Sequence, residues 1–291
     1  MDLKKVPESV KTVFDKFPLV EYGPADLPNI KEKKSKKSGT VYVDDDSECS
    51  IYPESVRLIT TLKLAGILDK FEIVTASIHA SPIKSLPYIY LTPQKGQRTL
   101  YPHTKSFYDW LRTAAVTKLP EFDHVKLRPV LSLIEVRLRD AYLMTLYGYG
   151  SNYNNIVLRH MALKYSSGET AVPSLLPRVL AYTTYLSQDR VLRRNNGPLN
   201  DTVRQTILTN ASEALHALDT LCANHSDLGV LDAAIYGYVW TIMSTDLRNM
   251  AGSAEAELRT MVKQHKSLVS LATRVERELT LKPHVLVNST N

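Results

Sequence analysis

Cysteine is nearly absent: Cys49 and Cys222 are the only two in 291 residues, far apart and in no ligand-like spacing. That excludes a disulfide framework and a thiolate zinc site, and it suits a reducing compartment. The eight histidines are scattered, with no H-x-x-x-H pair and no His/Cys cluster, so no metal centre is expected. The opening MDLKKVPESV has no apolar h-region, and no arginine precedes Arg57, so neither a secretory signal nor a cleaved mitochondrial presequence is expected. No window offers the ~20 apolar residues that a membrane-spanning helix needs. The nearest approach, 228–243, contains Asp232 and reads as a buried core helix. Any work at a membrane is therefore expected through a partner or a surface.

What is present is the composition of an ordinary globular protein, 44% hydrophobic and 23% charged. The length prior of ~150 residues per domain suggests two domains. A net charge of +6 and a pI near 9.1 fit an anionic membrane surface, nucleic acid, acidic partners or simply a solvated basic surface. Nucleic acid would need basic residues interleaved with exposed aromatics on one element. Lys31 to Lys37 include no aromatic, and Arg190, Arg193 and Arg194 stand together at one helix end, so no nucleic-acid partner is expected.

Residues 1–39 read as an arm, because Pro7, Pro18, Pro24 and Pro28 break any long helix. Phe14, Phe17, Leu19 and Tyr22 make it too apolar for a free tail, so it is expected to lie along its own chain or a partner. The run KEKKSKKSG, 31–39, is a solvated loop whose Lys33, Lys34, Lys36 and Lys37 could attract anionic headgroups or an acidic partner.

Residues 40–118 carry a different pattern. Val41 to Val43 form a strand, 55–65 a helix stopped by Gly66, and 71–75 a second strand. Pro53 suits the start of that helix, and Val56, Ile59, Leu62, Leu64 and Ala65 give it one apolar face. Strands at 88–91 and 98–101 and a helix over 103–111, packed through Phe107 and Trp110, complete a β-α-β, β-β-α order. That is a thioredoxin-like half, in which a cis proline commonly precedes the hairpin; here that step is Leu86-Pro87.

From 119 to 291 only helices are expected: 127–147, 153–165, 178–194, 201–223, 228–245 and 253–281. The helix over 228–245 is apolar nearly all round and belongs in a core. In the tyrosine-rich stretch, Tyr142, Tyr147, Tyr149 and Tyr153 read as packing residues. Asp232 stands three residues after Gly229, where it can cap the helix from within although glycine lacks the other half of a capping box. The fold class is therefore α/β plus all-α: a thioredoxin-like domain followed by a helical bundle.

Four segments taken together resemble the metaxin family of the glutathione-transferase-like superfamily. FDKFPLVEYGPADLP (14–28) is similar to the FPL-x-x-Y opening of its metaxin-2 branch, and YPESVRLITTLKLAGI (52–67) to its first helix. HASPIKSLPYIYL (79–91) is similar to its HASP-x-x-x-LP segment, and LDAAIYGYVWTI (231–242) to its LDA-x-x-x-G helix. Members of that branch include the smaller peripheral subunit of the fungal sorting and assembly machinery, the SAM complex of the mitochondrial outer membrane. The resemblance implies a peripheral, cytosol-facing subunit that sits on the complex's β-barrel protein beside a second metaxin-like subunit. It also implies help in recognising the C-terminal β-signal of barrel precursors.

A glutathione transferase would need Ser, Tyr or Cys near the end of the first strand to lower a bound thiol's pKa. Ser47, Cys49, Ser50 and Tyr52 stand there by position, but Asp44, Asp45, Asp46 and Glu48 place a negative field around them that opposes a thiolate. The superfamily's acidic-or-Gln, then Ser, step at the third helix corresponds to Lys105-Ser106, a cation where the ligand's ammonium needs an acceptor. No catalytic residue and no cofactor is therefore expected, with a glutathione transferase-like enzyme as the alternative. The partner-binding candidates are His79, Ser81, Ser85, Leu86 and Pro87, with Phe17, Tyr22 and the four lysines of the loop. His79 also reads as a structural histidine bracing its loop.

Overall fold

The computed structural model describes residues 38–44, 52–76, 81–83, 86–91, 99–102, 105–115, 124–147, 201–223, 228–243 and 253–281. All of them fall in one compact unit, Lys37–Asn291. The arm over 1–37 and the expected helices over 153–165 and 178–194 lie outside the described residues.

Strands β1 (Gly39–Val43), β2 (Phe71–Thr75), β3 (Tyr88–Leu91) and β4 (Thr99–Pro102) form one sheet in the order β2-β1-β3-β4. β2 runs parallel to β1, whereas β3 is antiparallel to both β1 and β4. Helix α1 (Pro53–Leu64) connects β1 to β2, and α2 (Lys105–Ala114) follows β4. This is the thioredoxin-like order expected from the sequence, with the Leu86-Pro87 bond cis.

Period-two alternation divides the sheet. Val41, Val43 and Ile89 point to one face and pack with Leu58, Leu62, Phe107 and Leu111 of the two helices. Tyr42 and Tyr88 point to the other face and pack with Leu86. Burial of each such Leu or Phe is worth about 1.5–3 kcal/mol. β1 and β3 approach so closely at Gly39 that a Cβ there would strike the Tyr90 carbonyl oxygen. Gly66, at φ 69°, turns the chain out of α1 as expected.

Helix α1 departs from the one-faced reading. Leu58 and Leu62 are buried on the sheet side, but Ser55, Arg57, Thr60 and Thr61 are buried as well, while Val56 and Ile59 are only half-buried. The reason lies in the helical half, which covers the side that the sequence pattern leaves to solvent.

The helical half begins with α3 (His124–Ser132), a π-wound turn (Leu133–Leu138) and α4 (Arg139–Tyr147). Sequence periodicity predicts one α-helix over 127–147; the chain is helical throughout, but the wider turn shifts the side-chain phase in its middle. Ile134 and Leu138 thereby enter the core and Glu135 reaches α1. Then come α5 (Asp201–Ala223) and α6 (Val230–Met243), the latter buried along nearly its whole length. The single helix expected over 253–281 is two, α7 (Ser253–Gln264) and α8 (Lys266–Leu281). Asp219 of α5 causes the break: its Oδ1 accepts the N–H groups of Ser267 and Leu268 at 2.8 and 3.1 Å. That cap comes from another helix, so local sequence could not announce it.

Candidate functional site

The cis-proline cluster is built from residues two apart on β1 and β3. Tyr42 and Tyr88 stack with centroids 4.7 Å apart at 13°, and Tyr90 meets both rings edge-on at 5.8 and 5.7 Å. Leu86 closes the cluster, with Val74, Ala76, Ile83 and Leu100 around it. Ser81, also buried, accepts the Ile83 N–H on its Oγ at 3.3 Å, which makes it a turn former. Burial, then Tyr42 and Tyr90, raise the Tyr88 phenol to about 12, so it is neutral at physiological pH. The cluster is aromatic and apolar, and Tyr42, Tyr88 and Leu86 are buried in it.

Of the residues expected to bind a partner, Ser81, Leu86 and Pro87 are buried, and Leu86 packs in this cluster. His79, Ser85, Phe17, Tyr22, Lys33, Lys34, Lys36 and Lys37 lie outside the described residues, as do Ser47, Cys49 and Ser50. Tyr52, the remaining thiol-activating candidate, packs against the core of the helical half rather than with the cis-proline cluster. Among the described residues no group of His, Cys, Asp and Glu could hold a metal ion, and no helix is long and apolar enough to cross a membrane.

A second polar constellation, not anticipated from the sequence, joins the halves. Arg57, 2% exposed, donates from Nη1 to Glu54 at 3.2 Å and to Glu135 at 3.0 Å, and from Nη2 to the Tyr108 hydroxyl at 2.6 Å. Tyr238 of α6 donates to Glu54 at 3.3 Å. Burial alone would lower the Arg57 pKa; Tyr108, Glu54 and Glu135 outweigh it and hold the guanidinium above its ordinary value. Tyr108 is pushed up to about 12, chiefly by burial, with Arg57 opposing. Every member is committed to another, so the arrangement braces the structure and leaves no free acid or base. The E-x-x-R spacing of Glu54 and Arg57 was the available signal, since it places both on one helix face.

Around that brace, α1 and α6 touch at Gly237, whose Cβ would sit 2.6 Å from the Pro53 carbonyl oxygen. The buried threonines are satisfied locally: Thr61 donates to the Arg57 carbonyl at 2.8 Å and Thr241 to that of Gly237 at 2.6 Å. Asp232 accepts the Gly229 N–H at 2.9 Å, the capping role read from the sequence. Tyr142 is core, edge-on to Tyr238 at 6.3 Å.

Solved glutathione transferases are similar in backbone. One from Methylobacillus flagellatus KT with glutathione bound is 12% identical, with 85% of this chain and 100% of that chain covered and a TM-score of 0.48. The sigma-class enzyme of Fasciola hepatica is 15% identical, with 86% and 99% covered and a TM-score of 0.41. A family member from Pseudomonas fluorescens Pf-5 is 12% identical, with 84% and 98% covered and a TM-score of 0.43. No curated protein matches the chain significantly. Residues 4–55 match the family described as SAM35, subunit of the SAM complex, and that match, on a chain with a thioredoxin-like half and a helical half, agrees with a metaxin-like subunit of that complex.

Proposed function

We propose that this protein is a non-enzymatic subunit of the SAM complex, held peripherally on the cytosolic face of the mitochondrial outer membrane. It sits on the β-barrel assembly protein beside a second metaxin-like subunit and helps recognise the β-signal of barrel precursors. The observation that carries this reading is the family match over 4–55, which includes the whole FDKFPLVEYGPADLP segment. Two features favour binding over thiol chemistry. Tyr52 packs with the helical core, and Lys105-Ser106 opens α2 where a glutathione site needs an acceptor for an ammonium.

In domain terms, the arm and its lysines (1–39) provide docking and charge, the thioredoxin-like domain (40–118) presents the cis-proline surface, and the helical domain (119–291) braces it. In this reading the groove flanked by Ser85, Leu86 and Pro87 takes an extended peptide by strand-like pairing, with His79 and Ser81 as further candidates for partner contact. The test is affinity purification from detergent-solubilised mitochondrial membranes. The expected result is recovery of a β-barrel protein of the outer membrane, with the subunit itself released by alkaline carbonate once its partners are removed. Retention on immobilised glutathione with thiol-transfer activity, and no barrel protein recovered, would establish the transferase-like enzyme instead.

A further inference from the structure

The sheet has two edges, and they are treated differently. β4 carries Pro102, which has no N–H to offer an added strand. β2, FEIVT, carries neither proline nor lysine. Its parity is fixed by the Ala76 N–H, which donates to the Val43 carbonyl at 2.8 Å. Even-numbered residues of β2 therefore direct their backbone groups towards β1, and Ile73 and Thr75 direct theirs outwards, while the Phe71 N–H is taken by the Leu68 carbonyl. Among the described residues no strand pairs with that side. Thr75 is exposed and Glu72, Ile73 and Val74 are half-buried, so solvent reaches the edge.

The flanks of the edge set the chemistry of what it can hold. On the helix side lie Ile73 and the Phe71-Trp110 pair, edge-on at 6.0 Å, with Trp110 half-buried. On the opposite side Glu72 supplies a half-exposed carboxylate. A strand laid along β2 would place alternate side chains beside the aromatic flank and beside Glu72. The matching partner is a segment that alternates apolar with polar or cationic residues, which is the pattern of a membrane β-strand before it is paired.

We propose that the outer edge of β2 receives an amphipathic strand segment of an unfolded β-barrel precursor as an additional strand of the sheet. The inference rests on the precursor-handling role above and gives that role a second backbone site, apart from the cis-proline groove.

The test uses the full chain with a photo-crosslinking residue at position 75, or at position 85 for the groove, and a synthetic peptide of alternating valine and lysine. A peptide of the same composition with its valines in one block is the control. The expected result is labelling from position 75 by the alternating peptide alone. Thr75→Pro removes one outward donor while leaving the β1 ladder intact, and it should weaken binding about threefold to tenfold. Thr75→Val keeps the donor and should bind as the unaltered chain does.

Labelling from position 85 alone, with Thr75→Pro binding unchanged, overturns the edge site and leaves the precursor-handling role standing. Labelling from neither position, in a chain that still recovers the barrel protein, overturns the edge site and direct precursor contact together. Failure to recover the barrel protein overturns the subunit reading by itself, and the peptide labelling still decides whether the edge accepts a strand.

Discussion

Replacing Gly237 by alanine sets two effects of opposite sign against each other. Glycine inside a helix costs ~1 kcal/mol relative to alanine, so on helix propensity alone Gly237→Ala would stabilise the protein by that amount. The packing argues the reverse. The new methyl would lie 2.6 Å from the Pro53 carbonyl oxygen and 3.1 Å from both the backbone nitrogen and the Cβ of Arg57. These are parts of α1 that no side-chain rotation can move aside. α1 and α6 must therefore separate by several tenths of an ångström, and overpacking of this kind typically costs ~1–3 kcal/mol. The separation also draws Arg57 away from Glu135, now 3.0 Å distant. The expected net change is a loss of up to about 2 kcal/mol, or up to roughly 8 °C in Tm for a chain of this size. Urea unfolding followed by far-UV circular dichroism measures it as a lower midpoint at unchanged slope. Ser212→Ala on the exposed side of α5 is the control for propensity alone and should raise the midpoint slightly. A Gly237→Ala midpoint that rises with the control would refute the close contact between α1 and α6.

Arg57→Met keeps the volume of the side chain but removes the cation that Glu54, Glu135 and the Tyr108 hydroxyl share. The Glu54 and Glu135 side chains are 22% and 43% exposed and can recover some hydration, so the expected loss in urea unfolding is about 2–3 kcal/mol, below the full penalty for a broken buried pair. Glu135→Gln, at the wetter end, should cost less than ~1 kcal/mol, and equal losses for the two variants would refute the assigned hierarchy. Asp232→Ala removes the carboxylate that accepts the buried Gly229 N–H at 2.9 Å and should cost about 1–2 kcal/mol, whereas Asp232→Asn should retain most of the cap. Alkali should destabilise the fold. Burial, then Asp232 and Asp219, push the Cys222 thiol from 9.0 to about 12, and burial pushes Tyr88 and Tyr108 from 10.0 to about 12. In that window the unfolded chain has lost protons that the folded chain keeps, so Tm should hold below pH 9 and fall as pH rises towards 12. A Tm that rises over this range would contradict the burial of these groups, and Cys222→Ser should remove the part of the fall that begins near 9.

The elements of the thioredoxin-like half were legible because each is announced locally. β2 and β3 occupy the residues that alternation predicted, and Gly66 and Leu86-Pro87 punctuate the chain where expected. What local pattern misjudged is whatever depends on a remote partner. Val56, Ile59 and Leu62 give the 55–65 segment an amphipathic pattern, yet α6 covers its other side and buries Arg57 and Thr61. The 253–281 segment keeps helical spacing throughout, but Asp219, 48 positions before Ser267, supplies the cap that divides it. The π-wound turn at Leu133–Leu138 leaves no mark in composition; its widening shows only where Glu135 meets Arg57.

The candidate site divides along the same line. Leu86 and Pro87 are legible in the chain because a proline step before a predicted hairpin is a local signal, and Leu86 packs beside Tyr42 and Tyr88. The three tyrosines carry no such local signal, since YIY on one strand and Tyr42 on another become a single cluster only through the Tyr42↔Tyr88 register of β1 and β3. The Arg57 brace has the same origin: Glu54, Arg57, Tyr108, Glu135 and Tyr238 come from α1, α2, the π-wound turn and α6. The guanidinium commits Nη1 to two carboxylates and Nη2 to a phenol. These polar groups are spent inside the joint between sheet and helices, where they fix how α1, α2, α6 and the π-wound turn pack against one another.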